Sequence, residues 1–288
     1  MAKINVLDKQ VAELIAAGEV VERPASIVKE LVENAVDAGA TKVTVEIQGG
    51  GIRYIRVTDN GTGIAREDVE NAFLRHATSK VKNEEDLTRI MTMGFRGEAL
   101  ASIAAMCRVE LLTRTAEEIA GTRYTISGGE PGELSDAGCP TGTTITVRDV
   151  FFNTPARMKF LKKDVSEGNS VAAAVEKAAL GNPGVAVKFL RDGVVRLQTP
   201  GDGQVLSAVR CVLGREFSEN AVPVRYEANG LTLDGVISRP SFARGSRGLQ
   251  NFFINTRFVR SKTCMAALEE SYRNTMMVGR YPSCVLNL

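Results

Sequence analysis

Residues Glu30–Ala40 read ELVENAVDAGA, and a short way further on Val57–Ile64 read VTDNGTGI. The first stretch completes a helical pattern that opens at Pro24, a residue suited to a first helical turn, and stops at Gly39. Ile27, Val28, Leu31, Val32 and Ala35 form its apolar face, while Glu30, Glu33, Asn34 and Asp37 fall at i, i+3, i+4 and i+7 on the opposite side. A stripe of this kind is ordinarily a solvated helix face. It could also be a reaction site, because a carboxylate one turn from an amide oxygen can hold a water beside hydrated Mg2+ and take its proton. The second stretch ends a strand in Asp59 and runs into a glycine-rich loop. Asp-Asn-Gly is a common turn sequence. Equally, an aspartate fixed at a strand end can accept from an exocyclic amine, and glycines let a flat ring approach the backbone.

Outward from this centre, TKVTVEI and IRYIRVT flank Gly49-Gly50-Gly51 and predict a hairpin. Asp8 can cap a short helix that runs through Glu13 to Ala17, and helical patterns recur at Arg66 to Ala72 and Gly97 to Met106. Between those two, His76 to Glu85 has few apolar anchors and is expected to be a long mobile loop. Strands are expected near Arg108 to Arg114, Gly121 to Ser127 and Thr143 to Val147, then a helix over Ser166 to Leu180 and a hairpin turning at Asp192-Gly193. Pro200-Gly201-Asp202-Gly203 is the best linker, so two domains are expected, residues 1–200 and 201–288. The second holds a helix (Gln204 to Leu213), a hairpin turning at Asn229-Gly230, a strand (Leu249 to Asn255), a helix (Thr263 to Met277) and a final strand from Ser283.

The 288 residues are 44% hydrophobic and 24% charged, which supports real cores rather than disorder. No apolar run approaches the roughly 18 positions of a membrane span, and the first residues do not resemble a signal peptide. An intracellular protein is expected, cytoplasmic if bacterial and nuclear if eukaryotic. Five scattered cysteines without a C-x-x-C pair suggest neither a disulfide framework nor a zinc site, and one histidine, His76, excludes any mechanism needing two imidazoles. The net charge of +2 hides an asymmetry. From Arg239 to Leu288 there are eight basic residues against two acidic ones, a local +6 that leaves −4 on the rest. A basic end on a mildly acidic body fits phosphate-backbone binding and fits an ordinary solvated face equally well.

Neither a G-x-x-x-x-G-K-[ST] loop nor a G-x-G-x-x-G after a strand is present. A third constellation, GFRGEALASI over Gly94–Ile103, places glycines before a helix whose first N–H groups, near Gly97, Glu98, Ala99 and Leu100, could bind anionic oxygen. Thr78, Ser79 and Lys80 could close over a phosphate chain. Each feature alone has a bland explanation in packing or solvation.

Together, ELVENAVDAGA, DNGTGI, RHATSK, GFRGEALASI, GTTITVRDVFFNTPAR and FFINTRFVR occur in an order that resembles the N-terminal region of the MutL/PMS mismatch-repair proteins. That family belongs to the GHKL superfamily, with DNA gyrase, histidine kinases and a heat-shock chaperone. The resemblance implies an α+β fold: a GHKL-type ATPase α/β sandwich, then a ribosomal-protein-S5-like α/β domain that is incomplete at its C-terminus. It implies ATP and Mg2+ as cofactors, with Glu30 as general base and Asn34 as the metal ligand. Asp37 belongs to the same nucleotide-facing stripe. Asp59 would accept from the adenine amine, and Gly61, Gly63 and Thr143 would shape the adenine pocket. Thr78, Ser79, Lys80, Gly94, Phe95, Arg96, Gly97, Glu98, Ala99 and Leu100 would form the lid and phosphate cradle. Arg257 and Arg260 would contact DNA phosphates.

The implied partners are DNA, a second chain in an ATP-dependent homodimer or paralogue heterodimer, and a MutS-type mismatch-recognition protein. Residues 1–20 are the expected dimer contact. The family normally continues into a segment ending in a histidine, proline, alanine and lysine run, whose lysine reaches the γ-phosphate. This sequence stops at YPSCVLNL with no residue matching that lysine, so ATP binding with weak hydrolysis is expected. The competing expectations are a non-hydrolysing DNA-binding or matchmaking module, and the ATPase region of another GHKL protein such as a type II topoisomerase.

Overall fold

A computed structural model of the chain describes residues 8–78, 93–94 and 97–288. Contacts divide it into two compact units, Met1–Val175 with Lys188–Arg196, and Glu176–Val187 with Leu197–Leu288. The first unit begins with helix α1 (Lys9–Val20), which starts directly after Asp8 as expected and continues three residues past Ala17, and α2 (Pro24–Asp37). Arg23 before α2 is extended, Pro24 occupies the first turn, and Gly39 turns the chain away at φ +73. The apolar face of α2 is buried as its spacing predicts, which stabilises the unit by roughly 1.5–3 kcal/mol per large aliphatic side chain.

Strands β1 (Lys42–Gln48) and β2 (Tyr54–Asp59) pair antiparallel with Val45 opposite Val57 and Ile47 opposite Ile55, so one face is a continuous aliphatic layer. The expected helix at Arg66 to Ala72 is two 3-10 turns, Arg66–Asp68 and Asn71–Phe73, in which Val69 and Phe73 are the buried anchors. Helix α3 (Ala99–Met106) is followed by strands β3 (Arg108–Arg114), β4 (Gly121–Ser127), β5 (Glu130–Ala137) and β6 (Gly142–Arg148). Strand β5 lacks an apolar alternation and went unpredicted for that reason; it is a largely exposed edge. A short helix α4 (Pro155–Met158), the long α5 (Asp164–Gly181), and strands β7 (Ala186–Arg191) and β8 (Val194–Gln198) follow. The eight strands run β5-β4-β3-β6-β2-β1-β7-β8, with α2 and α3 packed on their central members.

In the second unit, helices α6 (Val205–Leu213) and α7 (Arg215–Glu219) precede strands β9 (Ala221–Ala228), β10 (Leu231–Ser238), β11 (Gln250–Ile254) and β12 (Arg257–Val259), helix α8 (Lys262–Ser271) and strand β13 (Cys284–Asn287). Sheet order is β12-β11-β13-β10-β9, with β11 and β13 parallel. Each face of this sheet has its own core. Phe253 and Val285 join Val209, Phe217 and Phe242 on one side, and their strand neighbours Phe252, Cys284 and Leu286 join Leu268 and Tyr272 on the other. Among the described residues no helix is long and apolar enough to cross a membrane.

Candidate functional site

Strand register assembles the site in the first unit. Asp59 ends β2, Gly142 and Thr143 begin β6, and Thr113 and Arg114 end β3 directly opposite Thr143 and Gly142. Because the pairs are antiparallel, all of these termini lie at one end of the central strands of the sheet. Asp59 Oδ1 accepts from the backbone N–H groups of Gly61 at 2.8 Å and Thr143 at 3.3 Å. Its Oδ2 has no protein partner among the described residues. Burial pushes the carboxyl above its ordinary value, and the two amides pull it part of the way back. One oxygen is therefore committed to the fold, and the other is available to a donor.

The neighbouring glycines are needed for a reason the sequence did not reveal. A Cβ on Gly61 would stand 2.7 Å from the Ala38 carbonyl oxygen, one on Gly63 2.2 Å from that of Arg114, and one on Gly142 2.2 Å from that of Asp59. Backbone packs on backbone at each, and Gly63 and Gly142 also have positive φ. Asn60 has a local role: its Oδ1 accepts from Thr41 and Lys42 N–H at 2.9 and 2.8 Å. Thr62 N–H donates to Ala38 O at 3.0 Å, which ties this loop to the end of α2.

Along α2, Glu30, Glu33, Asn34 and Asp37 are all half-buried, unlike a fully solvated stripe. Lys29 Nζ lies 3.0 Å from Glu30 Oε1 and 2.9 Å from Glu33 Oε2. Burial lowers the Lys29 pKa, and the hydrogen bond to Glu33 and the charge of Glu30 outweigh it to leave a net rise. Asp37 commits both oxygens to the loop opposite, accepting from Met93 N–H at 2.8 Å and Gly94 N–H at 2.9 Å. From Glu30 to Asp37 the helix advances seven residues, about 10 Å at its standard rise.

At the start of α3, Gly97 has φ +62, and a Cβ there would meet Ala77 O at 2.4 Å. Glu98 flanks the helix with its Oε1 3.5 Å from His76 Nδ1, and Ala99 and Leu100 form the first turn. Thr78 is half-buried. The expected contributions of Ser79, Lys80, Phe95 and Arg96, most of the His76 to Glu85 loop, and the first seven residues of the dimer contact lie outside the described residues. No group of three or more His, Cys, Asp or Glu side chains among the described residues could hold a metal. Mg2+ is commonly held by one or two protein oxygens together with water and phosphate, so a site for it need not contain such a group.

The basic end belongs to the second unit, and its charge is partly neutralised. Arg247 Nε lies 2.6 Å from Glu269, Arg273 NH2 2.5 Å from Glu270 and Arg244 NH2 2.9 Å from Glu216. Arg257 lies on β12 and Arg260 is exposed just after it. Lys177 of α5, which sequence reasoning missed, hydrogen-bonds Asn251, stands 4.8 Å over the Phe258 ring, and lies close enough to Arg260 to feel its charge. Burial is the main reason its pKa is lowered.

Central strand ends carrying Asp59 and Thr143, a polar helix beside them and a glycine-bounded loop at α3 define a protein of the histidine kinase-, DNA gyrase B- and HSP90-like ATPase class, whose family model matches residues 22–128. A model of the DNA mismatch repair protein C-terminal domain, the S5-like domain of the expected fold, matches residues 209–288. DNA mismatch repair protein MutL of Agathobacter rectalis is 47% identical over 286 residues, covering 99% of this chain and 44% of its own length. MutL of Symbiobacterium thermophilum is 48% identical over 286 residues, covering 99% and 45%. An Aquifex aeolicus MutL ATPase domain complexed with ADP matches with a TM-score of 0.70 at 33% identity, over 93% of this chain and 92% of that one. The chain belongs to the MutL family of DNA mismatch repair proteins, and it spans about half the length of the curated relatives it matches.

Proposed function

We propose that this chain binds ATP with its adenine at Asp59 and hydrolyses it at Glu30, with Asn34 holding Mg2+. The observation that supports this most is the Asp59 carboxylate: two backbone amides fix Oδ1, while Oδ2 is left as an acceptor for the adenine amine. When bound, Mg2+ offsets the charge of the triphosphate. Glu30 takes the proton of the attacking water, and Lys29, 3.0 Å away, keeps that carboxylate oriented. Gly94 and Gly97 to Leu100, with Thr78, Ser79, Lys80, Phe95 and Arg96, enclose the phosphates. Asp37 anchors Met93 and Gly94 to α2.

Residues 1–200 act as the ATPase domain and 201–288 as the transducer and DNA-binding domain. Arg257 and Arg260, supported by Lys177, contact DNA phosphates. ATP-ordered lids bring two chains together, as a homodimer or with a paralogue, and Ile15, exposed on α1, is an apolar side chain a second copy can cover. A MutS-type protein is the upstream partner. Calorimetric titration with a non-hydrolysable ATP analogue and Mg2+, followed by light scattering, tests site and assembly together. One bound analogue per chain and a doubled mass are expected. No uptake refutes the site, and uptake without a change of mass refutes the dimer.

A further inference from the structure

Thr113, at the end of β3, has no exposed surface. Its Oγ1 lies 2.9 Å from the Ile64 backbone nitrogen, 3.1 Å from the Gly142 carbonyl oxygen and 3.0 Å from Thr143 Oγ1. A hydroxyl has one proton to give and two lone pairs to receive with. The Ile64 N–H must donate and the Gly142 carbonyl must accept, so Thr113 takes one proton from Ile64 and gives its own to Gly142. A lone pair remains for the third contact, which makes Thr143 the donor there. The Thr143 proton is thereby turned toward Thr113, and lone pairs are all that its hydroxyl offers to other neighbours. Thr143 is also the residue whose N–H holds Asp59 Oδ1.

We propose that Thr113 is a positioning residue that sets base selectivity: by holding the Thr143 proton it leaves two acceptors, Asp59 Oδ2 and Thr143 Oγ1, and keeps the Thr143 hydroxyl from donating at the base end of the site. The proposal rests on the ATP reading above. A 6-amino purine matches this arrangement directly, with its exocyclic N–H groups. A 6-oxo purine brings an acceptor against acceptors and leaves buried polar groups unpaired. In Thr113→Val, which has nearly the same shape, the Thr143 hydroxyl is released to rotate and can donate to a 6-oxo group.

The test is the ratio of affinities for non-hydrolysable ATP and GTP analogues with Mg2+, measured by calorimetry on the 288-residue chain. Thr113→Val is expected to lower the preference for the ATP analogue about tenfold, the scale of one hydrogen bond, while Thr113→Ser keeps it. A purely structural loss weakens both analogues alike and cancels in the ratio. Thr143→Val, which preserves the Thr113 contacts to Ile64 and Gly142, is expected to lower the ratio too, and it decides the matter if Thr113→Val does not fold. A folded Thr113→Val with the parent's ratio, a Thr113→Ser as unselective as the valine variant, or a Thr143→Val with the parent's ratio overturns the proposal. A parent chain that takes up neither analogue overturns the ATP reading itself, a distinct result.

Discussion

Replacing Asp59 with Asn is expected to separate binding from stability in opposite directions. The amide is nearly the same size, and its Oδ1 can keep accepting from Gly61 and Thr143 N–H at 2.8 and 3.3 Å. What changes is Oδ2, which becomes an NH2 donor facing the donor group of adenine. A hydrogen bond to a charged group contributes about 1.5–3 kcal/mol. Losing it, with two donors then opposed, should weaken the ATP analogue by about 2–3 kcal/mol, or about 30- to 150-fold. Stability should go the other way. Burial raises the folded-state pKa of Asp59 above its ordinary 3.8, so the folded state binds the proton more tightly than the unfolded chain does. The cost of that burial is present in full at neutral pH, where the group is ionised, and it disappears as pH falls through the raised folded pKa toward 3.8. Asn carries no such cost. Nucleotide-free Asp59→Asn should melt at or above the parent's temperature at pH 7, with the gap closing toward pH 4. Calorimetry and circular-dichroism melts measure the two halves. Unchanged analogue affinity, or a Tm several degrees lower at pH 7, would show that Asp59 is a structural carboxylate and refute the reasoning.

Glu30→Ala should retain the ATP analogue and lose phosphate release; a variant that binds no nucleotide would make Glu30 structural. Arg23→Ala should lower stability by about 3 kcal/mol in urea unfolding, because Glu167 is fully buried, takes Arg23 at 3.1 Å and Lys162 N–H at 3.0 Å on one oxygen, and would lose its cationic partner. A cost below about 1 kcal/mol would mean that water reaches Glu167. Arg260→Ala should reduce the slope of log K against log salt for DNA binding by about 1, whereas Arg247→Ala, already paired with Glu269 at 2.6 Å, should leave it nearly unchanged. Equal effects of the two substitutions would remove the case for Arg260 as a phosphate contact.

Elements whose stability is decided locally were legible in the residues. Helix α2 has a proline at its start, a glycine at its end and an apolar face with the helical period. The hairpins at Asp192-Gly193 and Asn229-Gly230 have both turn residues at positive φ, as that turn chemistry requires. Misassigned segments were those where tertiary contacts outweigh pattern. Val69 and Phe73 have a helical spacing, yet the chain there adopts 3-10 turns, and β5 survives by pairing with β4 rather than by an apolar face of its own. Helix α8 stops at Ser271, short of the predicted Met277, where Tyr272 turns its hydroxyl to the Ser238 carbonyl at 2.5 Å.

By itself, the sequence determined the kind of chemistry available: carboxylates, an amide, glycines and hydroxyls in motifs ordered as in the MutL family, with no second histidine and no cysteine cluster. Those properties reside in residue identity and short spacing, which a linear chain displays directly. Tertiary structure alone decided which groups are committed and which remain available. Whether Asp37 serves the loop at Met93 and Gly94, which oxygen of Asp59 is tied down, that Lys177 stands over the Phe258 ring, and that Thr113 and Thr143 bring their hydroxyls together all depend on strand register and on residues distant in the chain. A hydroxyl becomes a donor or an acceptor through its neighbours in space, and Thr113 has no signature in sequence because its three partners come from Ile64, in the loop after β2, and from the start of β6.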